Sequence, residues 1–249
     1  MALFDSASLL IDTQSYMRDT YVFSVGKPDL GAESVAIIHS LGYKAGLFLS
    51  SRETTTHTDK YDIVIPIDFH NLNAELKDLE TLRGKVAGLI TTYENYIVSL
   101  ARLGSFFDIA ALPMEAALAS TDKALMRQAF TVFDPSITPR YSLISDLEEA
   151  HRFMETVKFP VIIKPTNLVK SLLVTRCNNM QELDRNFTTA QREISGLYEK
   201  YHIFDSEPQL IIEEFVTGDM YSLAAFVDAD GTPVFCPGVT ALSAAQSHG

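Results

Sequence analysis

The chain has 249 residues, 47% of them hydrophobic and 10% aromatic, a composition that sustains real hydrophobic cores in one large domain or two to three small ones. Lysine and arginine number 20 against 32 aspartates and glutamates, and the formal net charge of −12 excludes sequence-independent binding to nucleic acid or anionic membranes, which needs a basic footprint. Any anionic ligand must be held by a few local cations.

The start, Met1-Ala2-Leu3-Phe4-Asp5, has no lysine or arginine before Arg18 and so lacks the basic region of a signal peptide. No apolar run approaches the roughly 18 to 20 residues of a membrane span. Cys177 and Cys236 fall in no metal-like spacing, which predicts reduced thiols in a cytoplasmic protein. Residues 1–18 read as a short amphipathic lead-in without assignable chemistry.

The first firm element is Thr20 to Val25, a strand by composition, followed by the turn Gly26 to Gly31 and a helical pattern from Ala32 to Leu41. Two glycines five apart with Pro28 between them do not make a dinucleotide fingerprint, so a structural turn is preferred to NAD binding. Lys44 to Leu49 and Ile63 to Ile67 give two more strands, and Asn73 to Leu82 has helical spacing. Val86 to Ile90 is a fourth strand, and Asn95 to Leu103 another helix. This alternation predicts an α/β fold with a parallel, doubly wound sheet over residues 1–115. Glu94 follows a strand's carboxyl end, where such sheets place ligands, although a solvent-exposed helix-start acid explains it equally.

From Ala116 a helix with the capping signature Ser120-Thr121-Asp122 is expected, with Leu125, Met126, Ala129 and Phe130 on one apolar face. Lys123 lies in its first turn, where a cation opposes the helix dipole. Tyr141 to Ile144 reads as a strand and Asp146 to Val157 as a helix. The strand Val161-Ile162-Ile163 then runs into Lys164-Pro165, with Lys170-Ser171 and a second apolar run, Leu172 to Thr175, behind it. Taken alone, Lys164 is a snorkelling lysine whose stem covers apolar surface. Residues 182–200 form a charged helix, Gln209 to Ile212 a strand ending in Glu213-Glu214-Phe215-Val216, and Tyr221 to Phe235 a hairpin around Asp230-Gly231. The six histidines share no ligand spacing and no serine sits in a nucleophile elbow, which disfavours hydrolase chemistry.

Three of these stretches, in this order, resemble the ATP-grasp superfamily: Asp122-Lys123 on its helix, Val161 to Pro165, and Glu213 to Val216 with Gly218 behind them. The resemblance runs from about Thr20 to Gly238. It implies a Rossmann-like domain over 1–115, an α+β N-lobe over 116–206, and the start of a C-lobe, incomplete as given, over 207–249. It further implies that Lys123 and Lys164 hold ATP phosphates, with Lys170 and Ser171 as a side-chain clamp in a loop that lacks the usual glycines. Glu213 and the Glu214 carbonyl would accept from adenine, and the Val216 N–H, beyond Phe215, would donate to it. Met220 stands where many members have a ribose-binding glutamate, and a thioether accepts poorly. The magnesium-binding residues of the superfamily lie on strands beyond the hinge, so Mg2+ ligands are expected past residue 249 and the chain as given is expected to turn over no ATP. Tyr221 to Val227 and Val234 to Val239 are expected to lack cover, giving poor packing or a homo-oligomer through that edge. The activity implied is a carboxylate–amine ligase, or a related carboxylate–nucleophile ligase, working through an acyl phosphate on small-molecule substrates. A non-catalytic ATP-binding module is the alternative.

Overall fold

The computed structural model describes residues 19–242 except 29–31, 54–56, 204–205 and 229. The expected lead-in over residues 1–18 and the end of the first turn lie outside the described residues.

Strands β1 (Tyr21–Gly26), β2 (Lys44–Ser50), β3 (Ile63–Ile67) and β4 (Val86–Ile90) form a parallel sheet in the order β3-β2-β1-β4. The central strands are apolar on both faces of the pleat, as a sheet covered on both sides requires; Phe23, Val25, Leu47 and Phe48 are fully buried. The rings of Phe23 and Phe48 stack with centroids 4.0 Å apart. Gly46 makes room for this, since a Cβ there would lie 2.4 Å from Phe23 ring atoms. Helix α1 (Ala32–Ser40) sets Val35 and Ile38 against Ala45.

The helix expected over 73–82 forms only as α2 (Leu72–Glu75), followed by turns and a 3-10 segment at Glu80–Leu82. Between them the amides of Asp78, Leu79 and Glu80 bond to carbonyls three residues back, so the chain winds more tightly than an α-helix. Burial of Leu72, Leu79 and Leu82 overrides the helical propensity of the intervening residues. Helix α3 (Ile97–Phe107) follows, with Leu103 and Phe107 in the core of this sheet. Strand order reverses between β1 and β4, which places a ligand-accepting crevice outside their carboxyl ends.

Helices α4 (Met114–Thr121) and α5 (Lys123–Phe133) meet at Asp122. Its carboxylate accepts from the amides of Ala124 at 2.8 Å and Leu125 at 3.0 Å, a cap that ends one helix and starts the next. A second sheet joins β5 (Tyr141–Ile144), β6 (Val161–Pro165), β7 (Thr175–Cys177) and β8 (Leu210–Glu214) in the antiparallel order β5-β8-β6-β7. The glutamate-bearing strand β8 thus has a partner on either side within this sheet. Helices α6 (Leu147–Met154), capped by Asp146, and α7 (Met180–Lys200), capped by Asn179, cover one face. There Val161, Ile163, Leu210 and Ile212 pack with Phe153, Leu183, Phe187 and Ile194. By the two-residue period of a strand, Ile162, Lys164, Ile211 and Glu213 belong to the opposite face.

Strands β9 (Met220–Val227) and β10 (Pro233–Leu242) form a separate antiparallel hairpin, with Gly231 at φ +86° in the turn. Tyr221, Phe226 and Phe235 are 63%, 58% and 61% exposed. Among the described residues no helix is long and apolar enough to cross a membrane.

Candidate functional site

Register builds the site on the second sheet. Ile162 pairs with Glu213 and Lys164 with Ile211, so Lys164 and Glu213 are diagonal neighbours on one face, within reach of each other's long side chains. The Lys164 ammonium donates to Glu213 Oε2 at 2.6 Å. Helix α5 is docked across this face by its first residue, whose amide donates to the Thr166 carbonyl at 2.8 Å. The Lys123 ammonium donates to the Thr166 and Leu168 carbonyls at 3.3 and 3.1 Å. One helical turn later, on the same helix face, Arg127 grips Glu213 with both arms, Nε to Oε1 at 2.9 Å and Nη2 to Oε2 at 3.2 Å. The side chains of Arg127, Lys164 and Glu213 are 20%, 15% and 5% exposed, so solvent screens this cluster little.

The apolar face of α5 is not the one turned to the sheet. Leu125 and Phe130 are 40% and 38% exposed, while the charged positions Lys123 and Arg127 turn to the sheet. Carbonyls and a carboxylate waiting there outweigh the apolar stripe.

Electrostatics follow from this crowding. Burial lowers the Lys123 pKa, and the positive charge of Lys164 lowers it further, against the opposing fields of Glu94, Asp122 and Glu213. For Glu213, burial alone would raise the carboxyl pKa, but the hydrogen bonds and charges of Arg127 and Lys164 more than reverse it, so the group sits below the ordinary glutamate range. A carboxyl depressed on folding contributes stability that is fully present above its unfolded value, about pH 4.3. That stability is lost as pH falls through the lower, folded value. The stability difference between the native chain and Glu213→Gln, followed by urea unfolding, is therefore expected to shrink as pH drops below about 4.3; a difference that grows on acidification would contradict the pairing.

Glu94, just past β4, acts on Lys123 through its charge, and the neighbouring Asn95 donates from Nδ2 to the Tyr201 carbonyl at 2.8 Å. These two residues connect the ligand end of the first sheet to the second body. Lys170 and Ser171 lie exposed in the loop after β6 at φ 60° and 54°, with Leu173 at 55°, left-handed positions filled without glycine. The Lys170 ammonium rests 5.8 Å from the Tyr201 ring centroid. On the hinge, the Glu214 carboxylate is held by Arg140, with Nη2 to Oε1 at 2.7 Å, and Phe215 lies 4.4 Å beneath the Arg176 guanidinium. Val216 is 68% and Met220 48% exposed.

Residues 157–247 match the family described as the ATP-grasp domain. This part of the chain is similar to an ATP-grasp domain. Phosphoribosylamine–glycine ligase of Methanosphaera stadtmanae is 30% identical over 133 residues, covering 53% of this chain and 28% of that protein. The chain also superimposes on solved structures. The L-amino acid ligase from Bacillus licheniformis gives a TM-score of 0.68 at 15% identity, covering 88% of this chain and 51% of the other. The biotin carboxylase domain dimer of the 2-oxoglutarate carboxylase from Hydrogenobacter thermophilus, solved with MgADP, ADP and bicarbonate, gives 0.61 at 15% identity, covering 87% and 49%. The chain thus spans about a quarter to a half of the proteins it resembles. The α/β architecture of a Rossmann-like sheet followed by ATP-grasp elements is that of these structures.

Sequence reasoning placed Lys123, Lys164 and Glu213 apart along the chain; in the folded chain the last two touch and the first lies within their field. It did not include Arg127 in the site. The available signal was its position four residues after Lys123, which puts both on one helix face.

Proposed function

We propose that this chain supplies the nucleotide-holding part of an ATP-dependent carboxylate–amine ligase, or a related carboxylate–nucleophile ligase. The observation that carries the reading is the concentration of Lys123, Arg127 and Lys164 beside one buried carboxylate, on the face of the second sheet that α5 crosses. A chain of net charge −12 holds a polyanion only with dedicated cations, and this is where they are concentrated. The names of the similar proteins, ligases and a carboxylase, support the same class.

In this reading the phosphates lie at Lys123 and Lys164, with Lys170 and Ser171 at the outer side. Adenine lies along the hinge, against the Glu214 carbonyl, the Phe215 side chain and the Val216 N–H. Glu213 takes a different part from the adenine acceptor expected at first, because its carboxylate is occupied by Arg127 and Lys164. The γ-phosphoryl passes to a substrate carboxylate, and an amine displaces phosphate from the acyl phosphate. The protein contributes position and charge neutralisation rather than a covalent nucleophile. Among the described residues no three His, Cys, Asp or Glu side chains converge, and Mg2+ arriving with the nucleotide would draw its ligands from the phosphates, water and one or two carboxylates. A Rossmann-like domain at the front, boundaries near 115 and 206, small-molecule partners and a cytoplasmic setting belong to the same proposal.

Calorimetric titration with ATP and with NAD tests the nucleotide reading: ATP is expected to bind, and binding of NAD without ATP overturns it. Ligase chemistry is tested by incubating the protein with ATP, hydroxylamine and a panel of amino acids and other carboxylic acids. A hydroxamate reports the acyl phosphate; ATP binding without hydroxamate from any acid favours the non-catalytic module instead.

A further inference from the structure

Glu213 has two cationic partners, and they are unlike. Arg127 holds both carboxylate oxygens through a rigid planar fork at 2.9 and 3.2 Å, fixed by its place on α5. Lys164 shares only Oε2, at 2.6 Å, through a single point charge on a flexible stem. Lys123 is not a third partner, because its ammonium is engaged by the Thr166 and Leu168 carbonyls. Of the two ion pairs, the one with Lys164 can be given up while the carboxylate stays compensated.

We propose that Arg127 is a positioning residue that makes Lys164 transferable: by holding Glu213 at both oxygens, it lets Lys164 exchange Oε2 for a phosphate oxygen without stranding a buried carboxylate. The inference rests on the reading of this face as the nucleotide phosphate site. Glu213 then acts as a resting place for the lysine, keeping its ammonium extended along the sheet until an anion arrives. Without Arg127, Lys164 is the sole counter-ion of a side chain 5% exposed, and every transfer to phosphate leaves an unpaired buried charge. The lysine is still present in that case, but it is held back.

Titrations with ATP and, separately, with adenosine, which has no phosphate, read this directly. Arg127→Met is expected to weaken ATP binding roughly tenfold, the scale of one charge-assisted contact, and to leave adenosine binding unchanged. Adding Glu213→Gln removes the charge that captures Lys164, so the double variant R127M/E213Q is expected to return to within about threefold of the native ATP affinity, a strong non-additivity between touching residues. A purely structural role predicts a double variant no better than the single one, and that result overturns the proposal, as does native ATP affinity in Arg127→Met. Should Arg127→Met fail to fold, Arg127→Lys, which keeps the charge and gives up the fork, is expected to bind ATP severalfold more weakly with rescue by Glu213→Gln. Native affinity in that variant, or a deficit without rescue, overturns the proposal. Failure of the native chain to bind ATP overturns the nucleotide reading itself, an outcome distinct from a native chain that binds and an Arg127→Met variant that binds equally well.

Discussion

Lys164→Ala is expected to lose at least tenfold in ATP affinity and, in the same protein, part of its folding stability. The first effect follows from removing one desolvated, charge-assisted phosphate contact, on the order of 1.5 to 3 kcal/mol, or roughly ten- to more than a hundredfold in affinity. The second is not expected of a lysine at the end of a strand, whose side chain ordinarily adds little to a core. Here the lysine meets Glu213 at 2.6 Å, and although Arg127 still compensates the carboxylate after its loss, one charge-assisted bond is gone, so roughly 0.5 to 1.5 kcal/mol of stability is at stake. The chain has no tryptophan, so unfolding in urea is followed by circular dichroism or tyrosine fluorescence, and ATP binding by calorimetry at a temperature where both proteins are folded. An unchanged dissociation constant beside reduced stability would leave Lys164 as the structural partner of Glu213 and nothing more.

Gly26→Ala is expected to be among the most damaging single substitutions in the first sheet. Gly26 ends β1 at φ +100°, a conformation that costs an ordinary L-residue about 1 to 2 kcal/mol. A Cβ there would lie 2.1 Å from Tyr96 Cδ2 and 2.4 Å from two more ring atoms. Tyr96 is 1% exposed and packs on Phe69 with ring centroids 5.1 Å apart, so it has no space to retreat into. Overpacking of a tight core adds about 1 to 3 kcal/mol, for a combined loss of roughly 2 to 5 kcal/mol. A measured loss below about 0.5 kcal/mol, the range of inert surface changes, would show that the Tyr96 ring does not lie over this turn.

What the sequence made legible, and what it did not, divides along a physical line. The strands of the first sheet are short, largely apolar runs, and a buried parallel strand of this composition has little freedom to be anything else. Residues 73–82 carry helical spacing too, yet the leucines that anchor them answer to a core assembled from distant strands, which no local pattern records. The same holds at the site. Lys164 is conspicuous because a proline and an apolar run frame it, whereas Arg127 looks like one more charge on an amphipathic helix. Its partner lies 86 positions away, and the contact exists only because the β6–β8 register and the docking of α5 bring them together. The ion pairing of Glu213 was hidden for a related reason: a carboxylate at a strand end looks free until its diagonal neighbour is known.

The loop after β6 has a consequence for capture of any ligand it closes on. A loop rich in glycine samples many shapes, and that freedom is removed when it wraps an anion, at a cost taken from affinity. Lys170, Ser171 and Leu173 already stand in left-handed backbone at φ 60°, 54° and 55°. Side chains narrow the alternatives open to such a loop, so little entropy remains to be lost at the moment of contact, while the strain is carried by the fold in every state. If the proposed phosphate clamp holds, its grip is formed before the ligand comes and would select by shape, favouring what matches its set curvature.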